Sequence, residues 1–268
     1  MNTVIYYRAG GPMDQEELAA AKRHFPILES RLTIQAGQLV IGRYSVLPFY
    51  RELEQDVLTV GARLINTHSQ HLYVADLQSW VADLGDLTPA TWSRLEDLPE
   101  EGPFVLKGAT NSKKFQWKTH MYAENRRAAC EVYARLCEDG LISQQQIYIR
   151  KYVPLVTYFL DVVGLPVTSE LRFFVYDGEI LCGGYYWSSH VDTLLESGIE
   201  PPNVEDVPRA FLEKVTGKIG KKVMFYALDV ARTISGEWIV IELNDGQMSG
   251  LSMNDPDELY GRLAARTK

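Results

Sequence analysis

MFYALDVARTISGEWIVIELN, residues 224–244, reads as two β-rich runs folded back on each other at Ile234-Ser235-Gly236-Glu237. Side chains alternate along a strand, so Glu242 and Asn244 share one face. Counting outward from the turn sets Asp229 opposite the stretch around residue 242, which lets cross-strand register bring three oxygen-bearing side chains together. The flanking Leu228, Val230, Ile241 and Leu243 are apolar and are expected in a core. Acids within such a hairpin are costly to bury unless paired or metal-bound. Hard oxygen donors of this kind suit Mg²⁺, which completes its shell with water and phosphate. A surface hairpin with solvated acids on one face fits the spacing as well.

Upstream lies a second hairpin, ELRFFVYDGEILCGGYYW (170–187), turned at Asp177-Gly178. Its Arg172 stands between Leu171 and Phe173 and needs an anion, either a phosphate or an internal carboxylate such as Glu170 or Glu179. Tyr185, Tyr186 and Trp187 are read as packing residues or as the wall of a substrate pocket, and Gly183-Gly184 as a site of close backbone approach. FVLKGA (104–109) is a strand that ends in Lys107, a position that serves a phosphate or merely a solvated charge. NSKKFQWK (111–118) reads as a polar loop, residues 123–139 as a helix with Ala128, Val132 and Leu136 on one side, and IYIRKYV as a strand stopped by Pro154. Phe211–Ile219 and Pro256–Arg266 read as helices.

Before residue 100, TVIYYRA (3–9), Gln38–Ile41 and Arg63–Ile65 read as strands. Asp14–Phe25 and Phe49–Gly61 read as helices, and residues 87–102 as a connection. Alternating strands and helices predict a small parallel sheet with covering helices.

Composition is that of a globular chain: 268 residues, 46% hydrophobic and 23% charged. No run of apolar residues is long enough to span a membrane. The opening residues lack the pattern of a secretory signal, so a cytoplasmic location is expected. A net charge of −8 argues against nucleic acid as the main partner. Cys130, Cys137 and Cys182 lack metal-site spacing and are expected to be reduced, buried thiols. The five histidines (His24, His68, His71, His120, His190) are scattered and are read as surface or core residues. No Ser-His-Asp or Cys-His arrangement is persuasive.

The order of these parts resembles the ATP-grasp family: a strand with a lysine (FVLKG), a polar loop (TNSKKFQW), a hinge strand (IYIRKYVPL), a hairpin with an arginine (SELRFFVYDGEIL) and a closing hairpin (ALDVARTISGEWIVIELNDG). The resemblance covers about residues 100 to 250 and is nearest to the compact branch found in bacteria and their viruses. It implies an α+β chain: a small α/β N-terminal domain over residues 1–100, then an ATP-grasp domain over 101–268. Two α/β subdomains, 101–155 and 156–268, would clamp ATP.

Residue by residue, the resemblance places Lys107 on the ATP phosphates and Lys113 and Lys114 in a loop closing over the nucleotide. Lys151, Tyr152 and Val153 would form the adenine hinge, with backbone groups of Lys151 and Val153 facing the base. Glu170 would meet the ribose and Arg172 the transferring phosphoryl group. Asp229, Glu242 and Asn244 would hold Mg²⁺. The implied reaction is ADP-forming ligation of a small-molecule or peptide carboxylate to an amine or thiol, by a protein that could form a homodimer. The alternatives are an ATP-dependent phosphotransferase and a non-catalytic ATP-binding module. A covalent lysine–AMP mechanism needs Lys-x-[Asp/Asn]-Gly, whereas Lys107 is followed by Gly108-Ala109-Thr110-Asn111. Two departures stand out. Arg150-Lys151 replaces the acidic or amide residue common at the hinge. Asn244-Asp245-Gly246-Gln247-Met248-Ser249-Gly250 replaces the usual Asn-x-x-Pro-Gly and is expected to face the acceptor.

Overall fold

The computed structural model describes residues 2–8, 14–43 and 49–267. Ala9, expected to end the first strand, lies outside them. The N-terminal part contains β1 (Asn2–Tyr7), α1 (Gln15–His24), β2 (Ile27–Leu28), β3 (Gln38–Arg43), α2 (Tyr50–Thr59) and β4 (Arg63–Leu64). Its sheet has the order β2-β1-β3-β4, and every pairing is parallel. Two helices then follow, α3 (His68–Ala75) and α4 (Leu77–Leu84), where the sequence had suggested none.

A second sheet, β5-β8-β6-β7, is built from β5 (Thr91–Trp92), β6 (Glu101–Gly108), β7 (Tyr122–Asn125) and β8 (Ile147–Lys151). Helix α5 (Arg126–Glu138) backs it with Ala129, Val132 and Leu136. The expected helix over 123–139 therefore starts later. Residues 122–125 extend along β6, and Asn125 caps the helix by accepting from the Ala128 N–H.

The third sheet, β12-β11-β13-β14, carries the two hairpins. β11 (Glu170–Tyr176) and β12 (Glu179–Tyr185) turn at Asp177 and Gly178, with φ of 46° and 80°. Positive φ at both positions matches the right-handed twist of the strands and favours this Asp-Gly pair. β13 (Phe225–Arg232) and β14 (Trp238–Asp245) form the closing hairpin. Between the second and third sheets lies a two-stranded ribbon, β9 (Thr157–Leu160) and β10 (Pro166–Thr168). Helices α6 (Val191–Glu196), α7 (Arg209–Ile219) and α8 (Pro256–Thr267) complete the described chain.

The third sheet is the centre of the molecule. One face, with Leu171, Phe173, Leu228, Val230 and Leu243, packs on α7 and α4 through Leu212, Val215, Ile219, Trp80 and Leu84. Each such side chain stabilises the fold by about 1.5–3 kcal/mol on burial. Helix α4 thus belongs by packing to the third sheet, although it precedes residue 100. On the other face, Phe174, Phe225 and Ala227 meet α8, which packs in turn on α1. Thr3 Oγ1 donates to the Thr267 carbonyl at 2.7 Å, so the first strand is bonded to the last helix.

Among the described residues, no helix is long and apolar enough to cross a membrane. The expectation of three buried thiols holds for one. Cys182 is buried, whereas Cys130 and Cys137 are exposed on α5, whose buried positions fall at 129, 132 and 136 instead.

Candidate active site

The register of the third sheet lines up four residues across its strands. Gly184 pairs with Arg172, Arg172 with Asp229, and Asp229 with Glu242. Directly opposed residues share a face, so the charged side chains form one row. Asp229 is fully buried. Arg172 holds it with a fork of two bonds, Nε to Oδ1 at 2.8 Å and Nη2 to Oδ2 at 2.7 Å. The sequence left Arg172 a choice between a phosphate and an internal carboxylate, and in this state its partner is Asp229 rather than Glu170 or Glu179. The third nitrogen, Nη1, donates to the Gly250 carbonyl at 2.9 Å. That segment lies on the sheet because residue 184 has no side chain: a Cβ there would stand 2.4 Å from the Met253 carbonyl.

A bulge shapes the end of the row. Asp229 faces Glu242, but Val230 faces Val240, leaving Ile241 as the extra residue of β14. Ile241 therefore does not enter the core expected from strict alternation. It lines a cavity beside Glu242 and Ile239. Arg150 fixes the bulge from the second sheet. Its Nη1 donates to the Ile241 carbonyl at 2.5 Å and its Nη2 to Thr88 Oγ1 at 2.7 Å. Thr88 Oγ1 donates in turn to the Val240 carbonyl at 2.8 Å. Burial lowers the Arg150 guanidinium to about 10, opposed by Glu242, so it stays charged near neutral pH.

Lys107, near the end of β6, forms an ion pair with Glu242 that crosses from the second sheet to the third. Burial alone would raise the Glu242 carboxyl, but Lys107, Lys114 and Arg172 outweigh it and hold the group down to about 2. Lys114 comes from the stretch read as a polar loop, which forms a short 3₁₀ turn and one π turn. Its Nζ donates to the Tyr186 hydroxyl at 2.6 Å and lies 4.5 Å from the centre of that ring. Arg172 stacks on the same ring at 4.9 Å. Burial opposes the charge on Lys114, yet Tyr186, Glu170 and Glu242 raise its pKa. Glu170 is shifted the other way: burial raises its pKa, and Asp229 and Glu242 add to the rise against Lys114 and Arg172. Lys113 is not part of this cluster and pairs with Asp139 at 2.5 Å.

Two cavities meet at this cluster. The first is lined by Lys107, Lys114, Glu170 and Glu242, by the apolar Ile239, Ile241 and Leu165, and by the hinge residues Lys151, Tyr152 and Val153. Two hinge N–H groups are already used, Lys151 to the Ala90 carbonyl at 2.8 Å and Tyr152 to the Pro103 carbonyl at 2.9 Å. The Val153 N–H has no partner within the protein among the described residues. The second cavity is more polar and is lined by Arg172, Tyr186, Asn244, Ser249 and Asn111, and by His71 from α3. Lys107 and Glu242 line both.

The closing stretch after Asn244 divides its roles. Asn244, Asp245, Met248, Ser249 and Gly250 line the second cavity. Gly246 and Gln247 dock on the N-terminal part, where Arg43 Nη1 donates to the Gly246 carbonyl at 2.6 Å and Gln247 Nε2 to the Tyr50 hydroxyl at 2.7 Å. Tyr186 faces the second cavity and Trp187 the first, so both flank the site as well as packing. His71, read as a surface or core residue, is buried and borders the second cavity.

Among the described residues, no group of three or more His, Cys, Asp or Glu forms a ready metal cage. The donors gathered here are the Glu242 carboxylate and the Asn244 amide at the cavity, with Asp229 directly behind, opposite Glu242. A few hard oxygens completed by phosphate and water fit Mg²⁺, which rarely takes an all-protein cage.

No curated protein sequence matches the chain. The fold is similar to that of a D-cycloserine synthetase, DcsG, with a TM-score of 0.63 at 15% identity over 99% of each chain. It is also similar to an ATP-grasp ligase, PsnB, solved with a phosphomimetic variant of a minimal precursor, Mg and ADP; the TM-score is 0.58 at 13% identity, over 100% of this chain and 98% of that one. The macrocyclase MdnC of Microcystis aeruginosa MRC, solved with its precursor peptide MdnA, gives a TM-score of 0.58 at 11% identity, over 99% and 98%. A family profile described as an ATP-grasp domain, the third family of its clade, matches residues 94–263. With its lysine strand, hinge and closing hairpin arranged around one cleft, the chain belongs to the ATP-grasp family.

Proposed function

We propose that the protein is an ATP- and Mg²⁺-dependent ligase that joins a carboxylate to an amine through an acyl phosphate and releases ADP and phosphate. The observation that carries this reading is that Lys107 and Glu242 line both cavities. A phosphoryl group held between them can pass from a nucleotide on one side to a carboxylate on the other. Family membership supports the nucleotide, and the complexes of PsnB with Mg and ADP support the metal. Precursor peptides bound to PsnB and MdnC support a peptide or small-molecule carboxylate as substrate.

In this reading the Val153 N–H and the hinge around Lys151 and Tyr152 hold adenine against Ile239 and Ile241. Glu170 meets the ribose. Lys107 and Lys114 bind the phosphates, and Arg172 stabilises the charge spread over the transferring group. Asp229, Glu242 and Asn244 hold Mg²⁺, which supplies charge neutralisation between the β- and γ-phosphates. In the ligand-free arrangement Lys107 and Arg172 neutralise Glu242 and Asp229 themselves, and they turn to the phosphates when the metal arrives. A substrate carboxylate oxygen attacks the γ-phosphorus, the new O–P bond forms, and the bond to the bridging oxygen of ADP breaks. The amine nitrogen then attacks the acyl carbon, and phosphate leaves with the C–O bond electrons.

The experiment is product analysis with purified protein, Mg·ATP and pooled amino acids and peptides. Substrate-dependent ADP and phosphate are expected together with an amide product. AMP and pyrophosphate would overturn the acyl phosphate. ADP with a phosphorylated product would make the protein a phosphotransferase. Mg·ATP binding without turnover by a metabolite-wide pool would make it a binding module.

A further inference from the structure

Amide formation from an amine releases a proton, and none of the cationic groups of the cluster can receive it. The second cavity contains one group that can. His71 reaches it from α3, in the part of the chain that precedes the family match. Its ring lies flat on Tyr50, with centroids 4.2 Å apart and planes at 10°. Its Nδ1 is 3.1 Å from Asp245 Oδ2, and both side chains are buried. Asp245 is itself fixed as an acceptor: its Oδ1 receives the Asn66 amide at 2.9 Å and the Gln247 N–H at 2.9 Å. A carboxylate so placed keeps the imidazole proton on Nδ1 and leaves Nε2 as the basic nitrogen. Among the described residues Nε2 has no hydrogen-bond partner, and it is not sealed from the cavity.

We propose that the second cavity is the site of the amine acceptor and that His71, oriented by Asp245, takes the proton of the attacking nitrogen. This rests on the ligase reading and adds the second substrate's site to it. The amine enters beside Arg172, Lys107 and Asn244 as the neutral base. Its nitrogen forms the C–N bond, phosphate departs with the C–O bond electrons, and the surplus N–H proton passes to His71 Nε2. The imidazolium then returns that proton to water or phosphate. Stacking on Tyr50 and the bond to Asp245 hold the ring in one orientation throughout, so the side chain loses no further freedom when the amine arrives.

The test uses His71→Asn, whose amide still donates to Asp245 but cannot accept a proton at the cavity. Wild type and variant are incubated with Mg·ATP and the amino-acid and peptide pool, with and without hydroxylamine. Hydroxylamine is unprotonated near neutral pH and traps an acyl phosphate without a base. The variant is expected to lose about 10²–10⁴-fold in amide formation, with hydroxamate formation and the Kd for Mg·ATP unchanged. Equal losses of amide and hydroxamate, or no loss of either, would overturn the role of His71. No hydroxamate from wild type would instead overturn the acyl phosphate, and this proposal with it. His71→Gln, with a longer amide, repeats the measurement if the Asn variant fails to bind Mg·ATP.

Discussion

Lys107 and Glu242 come from different sheets and are joined by an ion pair on the partition between two cavities. Neither residue has another charged partner among the described ion pairs. The pair is therefore a cross-link between the lobes that a bound nucleotide must rearrange.

Glu242→Gln is expected to weaken Mg·ATP binding by about tenfold or more, equivalent to about 1.4 kcal/mol, because it removes a charged ligand. Thermal stability should change little, since Lys107 can turn to solvent. Calorimetric titration with Mg·ATP and a melting curve check the two halves. Unchanged affinity would remove Glu242 from the metal site.

Arg172→Met leaves Asp229 as a fully buried carboxylate without its cation. Breaking a buried pair from one side costs about 3–5 kcal/mol. The double variant Arg172→Met/Asp229→Asn should be less destabilised than Arg172→Met alone. Urea unfolding of the wild type, both single variants and the double variant measures the coupling, and simple additivity would contradict the fork geometry.

Arg150→Met takes the donor from the Ile241 carbonyl and from Thr88. An orphaned buried acceptor costs about 1–3 kcal/mol. Because that carbonyl belongs to the bulge that presents Ile241 and Glu242, Mg·ATP affinity should fall along with stability. A stability loss with unchanged affinity would mean that the bulge holds without Arg150.

Two carboxyls give opposite pH dependences. Glu170 has its folded pKa raised above the ordinary 4.5, so the folded chain binds more protons above that value. Its contribution is present below 4.5 and is lost as pH rises through the folded value. Glu242 is depressed to about 2, so its contribution is present above 4.5 and is lost as pH falls toward 2. Glu170→Gln should flatten the decline of melting temperature on the neutral side, and Glu242→Gln the decline on the acid side. Parallel curves for wild type and Glu170→Gln would show that the Glu170 shift is absent.

The closing hairpin was legible because two periodicities agree on it. Strand alternation put Glu242 and Asn244 on one face, and the Gly236 turn set Asp229 opposite Glu242. Alternation cannot reveal an extra residue, so the bulge that turns Ile241 out of the core was invisible. Helices α3 and α4 were missed because each is only eight residues long, with a polar first turn in α3. Thr67 and Gln70 do form a capping box there, and that spacing was a usable signal. His71 gave none: Asp245, which orients it, lies 174 residues further along the chain. The hinge was legible in position, while the use of Lys151 and Tyr152 N–H groups by Ala90 and Pro103 depends on neighbours that no local pattern names.

The bond from Thr3 to Thr267 bears on how the chain is made. During synthesis β1 leaves the ribosome first, yet α8, which covers α1, is the last helix to emerge. The N-terminal sheet must wait with one flank of α1 bare until translation ends, and a nascent chain truncated before residue 256 should be a better client for chaperones than the finished protein.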